Sequence, residues 1–262
     1  MTSPDPDNRP DRQAARPQLS DSGGDPKGSP RGSPRGESGY SPPRPPRERM
    51  FNAPVASLLV AAAILASYWF QSRSADEMAL IYSYGFRPAD LDRGAYGGLF
   101  THALLHGNWL HAGMNAVGAL AFGAPVARLM TRPPAGVAGF FILFVLGAAF
   151  AALSYGLLHP GSEIPLVGAS GGVFALIGAS TRLLGRSWPA PLLSRQVISS
   201  LMVWTGLNLA IGLVGYAPGA EGARVAWEAH IAGLAFGAIM VTPLAWLFGQ
   251  RIVRRRPPTR LI

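Results

Sequence analysis

Residues 167–179 read VGASGGVFALIGA, and the fold turns on what this stretch is. Gly168-Ala169-Ser170-Gly171-Gly172 fits G-x-S-x-G, the nucleophile elbow of soluble α/β-hydrolases. The same residues are apolar and small, as at an interface between membrane helices. Ser170 is then a nucleophile, a packing residue, or both, and its surroundings decide.

Those surroundings are membrane-like. Of 262 residues, 48% are hydrophobic and only 14% charged, well below the roughly 25% charge of a soluble domain, and the mean hydropathy is +0.20. The charges collect at the ends and in the joints between apolar runs. The net charge of +9 therefore reads as arginines flanking membrane segments rather than as a nucleic-acid surface, and Lys27 is the single lysine. The absence of cysteine removes disulfides and thiolate chemistry.

Residues 1–50 are rich in Pro, Gly, Ser and Arg and poor in large apolar side chains, which predicts a disordered cytoplasmic tail. Acids at Asp5, Asp7, Asp11, Asp21, Asp25, Glu37 and Glu48 argue against a mitochondrial transit peptide. Six apolar runs follow, at about 53–70, 107–130, 135–158, 170–185, 197–216 and 225–249. They predict an all-α bundle of six transmembrane helices over residues 51–250, with a basic cytoplasmic tail at 251–262. The fourth run is the shortest and the richest in Gly and Ala, as suits a helix in the middle of a bundle.

Arginine placement orients the chain. One side receives Arg44, Arg47, Arg49, Arg128, Arg132, Arg182, Arg186, Arg195, Arg251, Arg254, Arg255, Arg256 and Arg260; the other receives Arg73, Arg87, Arg93 and Arg224. The positive-inside rule places both termini in the cytoplasm, in keeping with six spans. The first outer loop, residues 71–101, is long, and Tyr82, Tyr84, Phe86, Tyr96 and Phe100 suit a segment lying in the membrane surface.

Polar residues inside apolar runs are costly and therefore informative. They are His102, His106, His111 and Asn115 in HALLHGNWLHAGMN, Ser170, Asn208, and Glu228 with His230 in WEAHIAGLAFG. His111 and Asn115 are i and i+4 and share a helix face. His230, Gly233 and Gly237 also share one, and Gly171, Ala175 and Gly178 form a matching small surface beneath Ser170. Packing these two faces would bring His230 to Ser170. Histidines at i and i+4 can hold zinc, but H-E-x-x-H is absent and no nearby carboxylate would activate water, so no metal or cofactor is expected. The soluble triad fails too: no strand precedes Ser170, and Glu228, two residues from His230, points away from that ring.

Three motifs together resemble the rhomboid family of intramembrane serine proteases, over about residues 52–250. Gly168-Ala169-Ser170-Gly171 is similar to its G-x-S-G, continued by Ala175, Leu176 and Gly178. Ala229-His230-Ile231-Ala232-Gly233, with Gly237, resembles A-H-x-x-G-x-x-x-G. HALLHGNWLHAGMN resembles the second-span histidine segment. The resemblance implies a Ser–His dyad without an acid: Ser170 the nucleophile, His230 its general base and then acid. It also implies an oxyanion site made by the Ser170 N–H, His111 and Asn115, helped by the positive end of the helix that Ser170 opens. Phe174, one turn after the serine, would pack on the His230 ring where the family often has Tyr. Gly97-Gly98 stands where the family often has Trp-Arg, and Ala127 where a glutamate is frequent; neither belongs to the implied chemistry, and both bear on how rigidly the outer loop is anchored.

The implied activity is endoproteolysis in or near the transmembrane segments of single-span proteins within a lipid bilayer, with substrates whose helices are weakened by Gly, Pro or Ser near the outer end. A bacterial inner membrane is the expected location, and the oligomeric state is left open. Two other readings compete. A non-catalytic rhomboid-like protein that binds membrane clients would usually lack the serine or the histidine, and a transporter would show repeated halves with broken helices.

Overall fold

The computed structural model describes residues 54–130, 134–214 and 225–249. The expected tails at 1–50 and 251–262, and Arg132 and Arg224, lie outside these residues. Among the described residues the chain is all-helical, and its one strand-like feature is an isolated pairing of Phe86 with Leu166.

Helix α1 (Val55–Gln71) leads into an outer segment of three short helices: α2 (Glu77–Tyr84), α3 (Ala89–Asp92) and α4 (Gly98–Thr101). A 3-10 turn, His102–Leu104, precedes α5 (Trp109–Leu129), followed by α6 (Ala135–Leu158), α7 (Ser170–Thr181), α8 (Arg195–Val214) and α9 (Trp227–Phe248). Each of the six apolar runs coincides with one helix. Four of these, α5, α6, α8 and α9, are long and apolar enough to cross a membrane; α1 and α7 are apolar but shorter, at 17 and 12 residues. Bare apolar side chains cover the outside, among them Val117, Met202, Val203, Leu213, Ile239 and Leu247. A surface of this kind belongs in lipid, so this is a membrane helical bundle.

Helix α7 is the axis of the bundle. Ten of its 12 residues are buried, and it packs against α5, α6, α8 and α9. That explains how so short a helix is stable: its surroundings are protein, so its length need not match a bilayer. The fourth run was expected to stay helical to 185, but α7 stops at Thr181. Beyond it the backbone tightens into i to i−3 bonds from Arg182 and Leu183, and the buried Arg182 donates from Nε to the Ala190 carbonyl at 2.8 Å and from its terminal nitrogen to that of Ala238 at 2.6 Å. Helix α8 is the opposite case, burying only Val197 and Asn208.

The outer loop corrects one expectation. Tyr82, Tyr84, Tyr96 and Phe100 are exposed, as an interfacial segment requires, but Phe86 is fully buried. Its ring sits against Gly156 of α6, where a Cβ would come within 2.7 Å of it. Backbone bonds between Phe86 and Leu166 in both directions, at 3.1 and 2.7 Å, tie this loop to the segment just before Ser170. Of the Gly97-Gly98 pair, Gly98 has a use here: a Cβ on it would lie 2.8 Å from the Gly85 carbonyl oxygen and 2.9 Å from the Phe86 Cα, whereas Gly97 faces open space. Close backbone approach anchors the loop in place of a tryptophan and an arginine.

Charge adds a second tie. Arg87 pairs with Asp90, and Arg93 bridges Asp90 and Glu163. The hydrogen bond and the charge of Arg93 hold the Glu163 carboxyl below its ordinary value. A lowered carboxylate contributes above its unfolded pKa, about 4.3, and the contribution is lost as pH falls through the lowered value. Hydrogen exchange of residues 86–94 is therefore expected to speed up as pH falls below about 4, after correction for the intrinsic pH dependence. Glu163→Gln should show the faster rate at neutral pH. Equal protection in both proteins at pH 7 would remove this bridge as an anchor.

Candidate functional site

The site lies where the C-terminal ends of α1, α6 and α8 meet the N-terminal ends of α5, α7 and α9. Ser170 is the first residue of α7, so its N–H and those of Gly171 and Gly172 have no carbonyl one turn earlier in the helix. The approach to it is unusual. Gly168 has φ +118°, a region that disfavours side chains, and a Cβ there would strike the His111 ring at 2.8 Å. Glycine is required at this position for two independent reasons.

The loop entering α7 is cradled by the histidine segment. Gly168 N–H donates to the His102 carbonyl at 3.0 Å, and Ala169 N–H donates to His106 Nε2 at 3.4 Å. His102 in turn donates from Nδ1 to the Gly98 carbonyl at 3.0 Å. The peptide of His106 is held by Gln71 at the end of α1, whose side-chain amide donates to its carbonyl at 2.7 Å and accepts from its N–H at 3.0 Å. The loop that presents Ser170 is thus held by the His102 carbonyl and the His106 ring, while the His102 ring is engaged with α4. The sequence reading missed this role, and Gln71 with it; a lone amide at the end of an apolar run was the available signal.

His230 meets Ser170 across the α7–α9 contact. Its Nε2 is 2.8 Å from Ser170 Oγ, and its ring stacks on Phe174 with centroids 4.4 Å apart and planes at 13°. The small faces explain the approach. A Cβ on Gly237 would sit 1.8 Å from the Ala175 carbonyl oxygen, and one on Gly233 2.3 Å from that of Gly171. Gly171 lies against Ala151 and Ala148 of α6. Gly172, the fifth position of the apparent elbow, instead faces Phe144. Glu228 is turned away, 3.3 Å from His159.

His111 and Asn115 sit on the first turns of α5, whose start is set by Asn108 capping the His111 N–H at 2.8 Å. Gly107 N–H donates to His111 Nδ1 at 3.4 Å, which leaves the ring proton on Nε2, the nitrogen beside Gly168. Asn115 is buried and donates one of its two amide protons to the His111 carbonyl at 3.0 Å, leaving the other for a second acceptor. A small cleft opens beside Ser170, walled by His102, Ala151, Ala152, Val167, Gly168 and Ala229 among others.

A model of the rhomboid domain matches residues 93–247, more than half of the chain and all of the residues just described around Ser170 and His230 except Gln71. The chain belongs to the rhomboid family. Direct comparison with curated proteins returns no match. Membership of this family and the apolar helices together make it an integral membrane protein. Rhomboids include intramembrane proteases and homologues without activity, so the geometry of this particular site carries the functional argument.

Proposed function

We propose that this rhomboid is an intramembrane serine endopeptidase, a six-span protein with both termini in the cytoplasm of a bacterial cell and its site toward the outer face. The hydrogen bond between Ser170 Oγ and His230 Nε2 carries the reading, since a hydroxyl needs a base this close to attack a carbonyl. Oγ bonds to the scissile carbon while its proton passes to Nε2. The oxyanion is received by the Ser170 N–H and by donors from His111 and Asn115, each lowering the barrier by on the order of 3 kcal/mol. His230 then returns the proton to the leaving amine, and water repeats the sequence on the acyl-enzyme. Gly168, Gly171, Gly233 and Gly237 support the dyad by allowing close packing, and Phe174 by fixing the plane of the ring.

The natural partners under this reading are single-span membrane proteins in a bilayer, with no cofactor or nucleic acid involved. The domain proper is residues 51–250, flanked by the cytoplasmic tails 1–50 and 251–262. The alanine-walled cleft beside Ser170 favours a small side chain next to the cut bond. The substrate helix must unwind there, so Gly, Pro or Ser near its outer end should promote cleavage.

The test is purified protein in liposomes with a doubly tagged single-span reporter. Two fragments with a junction in or near the membrane segment are expected, and replacing the reporter's Gly and Pro with Leu should slow their appearance. A reporter that co-purifies intact with the wild-type protein would favour the client-binding alternative.

A further inference from the structure

Among the described residues, α8 buries one polar side chain, Asn208. An amide inside an apolar helix is costly unless it is used. The bland reading is that it bonds its own helix, and half of it does: Nδ2 donates to the Trp204 carbonyl at 2.9 Å. That bond also settles which way the amide faces, because a backbone carbonyl can only accept. Oδ1 is therefore the atom turned to α9, 2.9 Å from His230 Nδ1.

Two acceptors cannot face each other at that distance, so Nδ1 carries the proton of the neutral ring. Nε2 is then the bare nitrogen, and it is the one beside Ser170 Oγ. We propose that Asn208 is a positioning residue that fixes His230 as the Nδ1–H tautomer, so that the dyad works as a Ser–His–Asn relay spread over α7, α9 and α8. The inference rests on the protease reading for its consequence but not for its geometry. The three contacts on the ring leave it little freedom: Ser170 at one edge, Asn208 at the other, Phe174 on the face. Trp204, one turn before Asn208, backs Phe174 with ring centroids 6.3 Å apart.

An asparagine suits this place better than a carboxylate would in one respect. It accepts from Nδ1–H both before and after His230 takes the serine proton, and it brings no charge into an apolar helix. With His111 donating from Nε2 because Gly107 occupies its Nδ1, the two histidines are held in opposite tautomers by neutral partners. One is prepared to accept a proton and the other to donate a hydrogen bond.

The experiment uses full-length protein with ¹⁵N-labelled histidine in detergent micelles, alongside reporter cleavage. In the wild type, the His230 ring proton is expected on Nδ1; a proton on Nε2 overturns the proposal without any variant. Asn208→Leu keeps the shape and removes the acceptor. It should shift His230 toward the Nε2–H form and lower kcat about tenfold or more, by analogy with the loss of partners that orient a metal-bound imidazole, with KM within about twofold. Asn208→Asp restores an acceptor oxygen and should recover the Nδ1–H signature and part of kcat. If wild-type protein cleaves and Asn208→Leu matches it in kcat and tautomer, Asn208 has no such role. If wild-type protein does not cleave yet shows Nδ1–H lost in Asn208→Leu, the protease reading falls and the relay geometry stands.

Discussion

Replacing either Ser170 or His230 with alanine is expected to lower reporter cleavage about ten-thousandfold or more, and replacing both to lower it little further. The reason is that the two act as one unit. Ser170 Oγ is a weak nucleophile until a base takes its proton, and His230 Nε2 has no chemical task without that proton. Residual cleavage would come from the oxyanion donors and from binding, which both single variants retain. Ser170→Ala removes one oxygen from the start of α7 and leaves the glycine faces untouched, so its thermal unfolding midpoint should stay within a few degrees of wild type. A Ser170→Ala or His230→Ala protein that cuts at the parent rate would end the dyad assignment.

Gly237→Val is the substitution expected to cost most in stability. Its Cβ would lie 1.8 Å from the Ala175 carbonyl oxygen, and on the reciprocal side Gly178 holds the Leu234 carbonyl 2.0 Å from where its own Cβ would be. The obstacles are backbone atoms in the middle of two helices, which cannot rotate aside as a side chain does. Overpacking costs about 1–3 kcal/mol when neighbours can shift, so separating α7 from α9 should cost about 3 kcal/mol or more. Such a separation also draws His230 away from Ser170, so activity and stability should fall together. Gly206→Ala is the control, because nothing lies within 4 Å of its Cβ position. A helix gains about 0.5–1 kcal/mol from that change, and unfolding should move slightly upward. Equal midpoints for Gly237→Val and wild type would mean that the α7–α9 seam is not what holds the bundle together.

Much of this architecture is legible in the chain because its causes are local and periodic. Apolar runs of about 20 residues end in arginines, turns or prolines, and each became a helix. The face of His230, Gly233 and Gly237 is a surface pattern legible in the chain, but of its expected counterpart only Gly178 turns its Cβ position to α9; Gly171 and Ala175 turn theirs to α6 and meet Gly233 and Gly237 through backbone carbonyls. What escaped was set by partners distant in sequence. Phe86 looks like one more interfacial aromatic until Gly156 opens a place for its ring. Arg182 reads as a flank of the fourth span, yet it is buried and ties the end of α7 to the carbonyls of Ala190 and Ala238. His102 and His106 stand out by type, but nothing local says that the loop entering α7 leans on the His102 carbonyl and the His106 ring.

The helical class, the membrane setting and the α9 face that carries His230 can be read from the chain, since hydrophobic period and residue size are properties of a segment. The protonation pattern of the site depends on contacts that form only on folding. A histidine's tautomer depends on the partner of its far nitrogen, and for His230 that partner stands on α8, 22 residues away, at a position no period singles out.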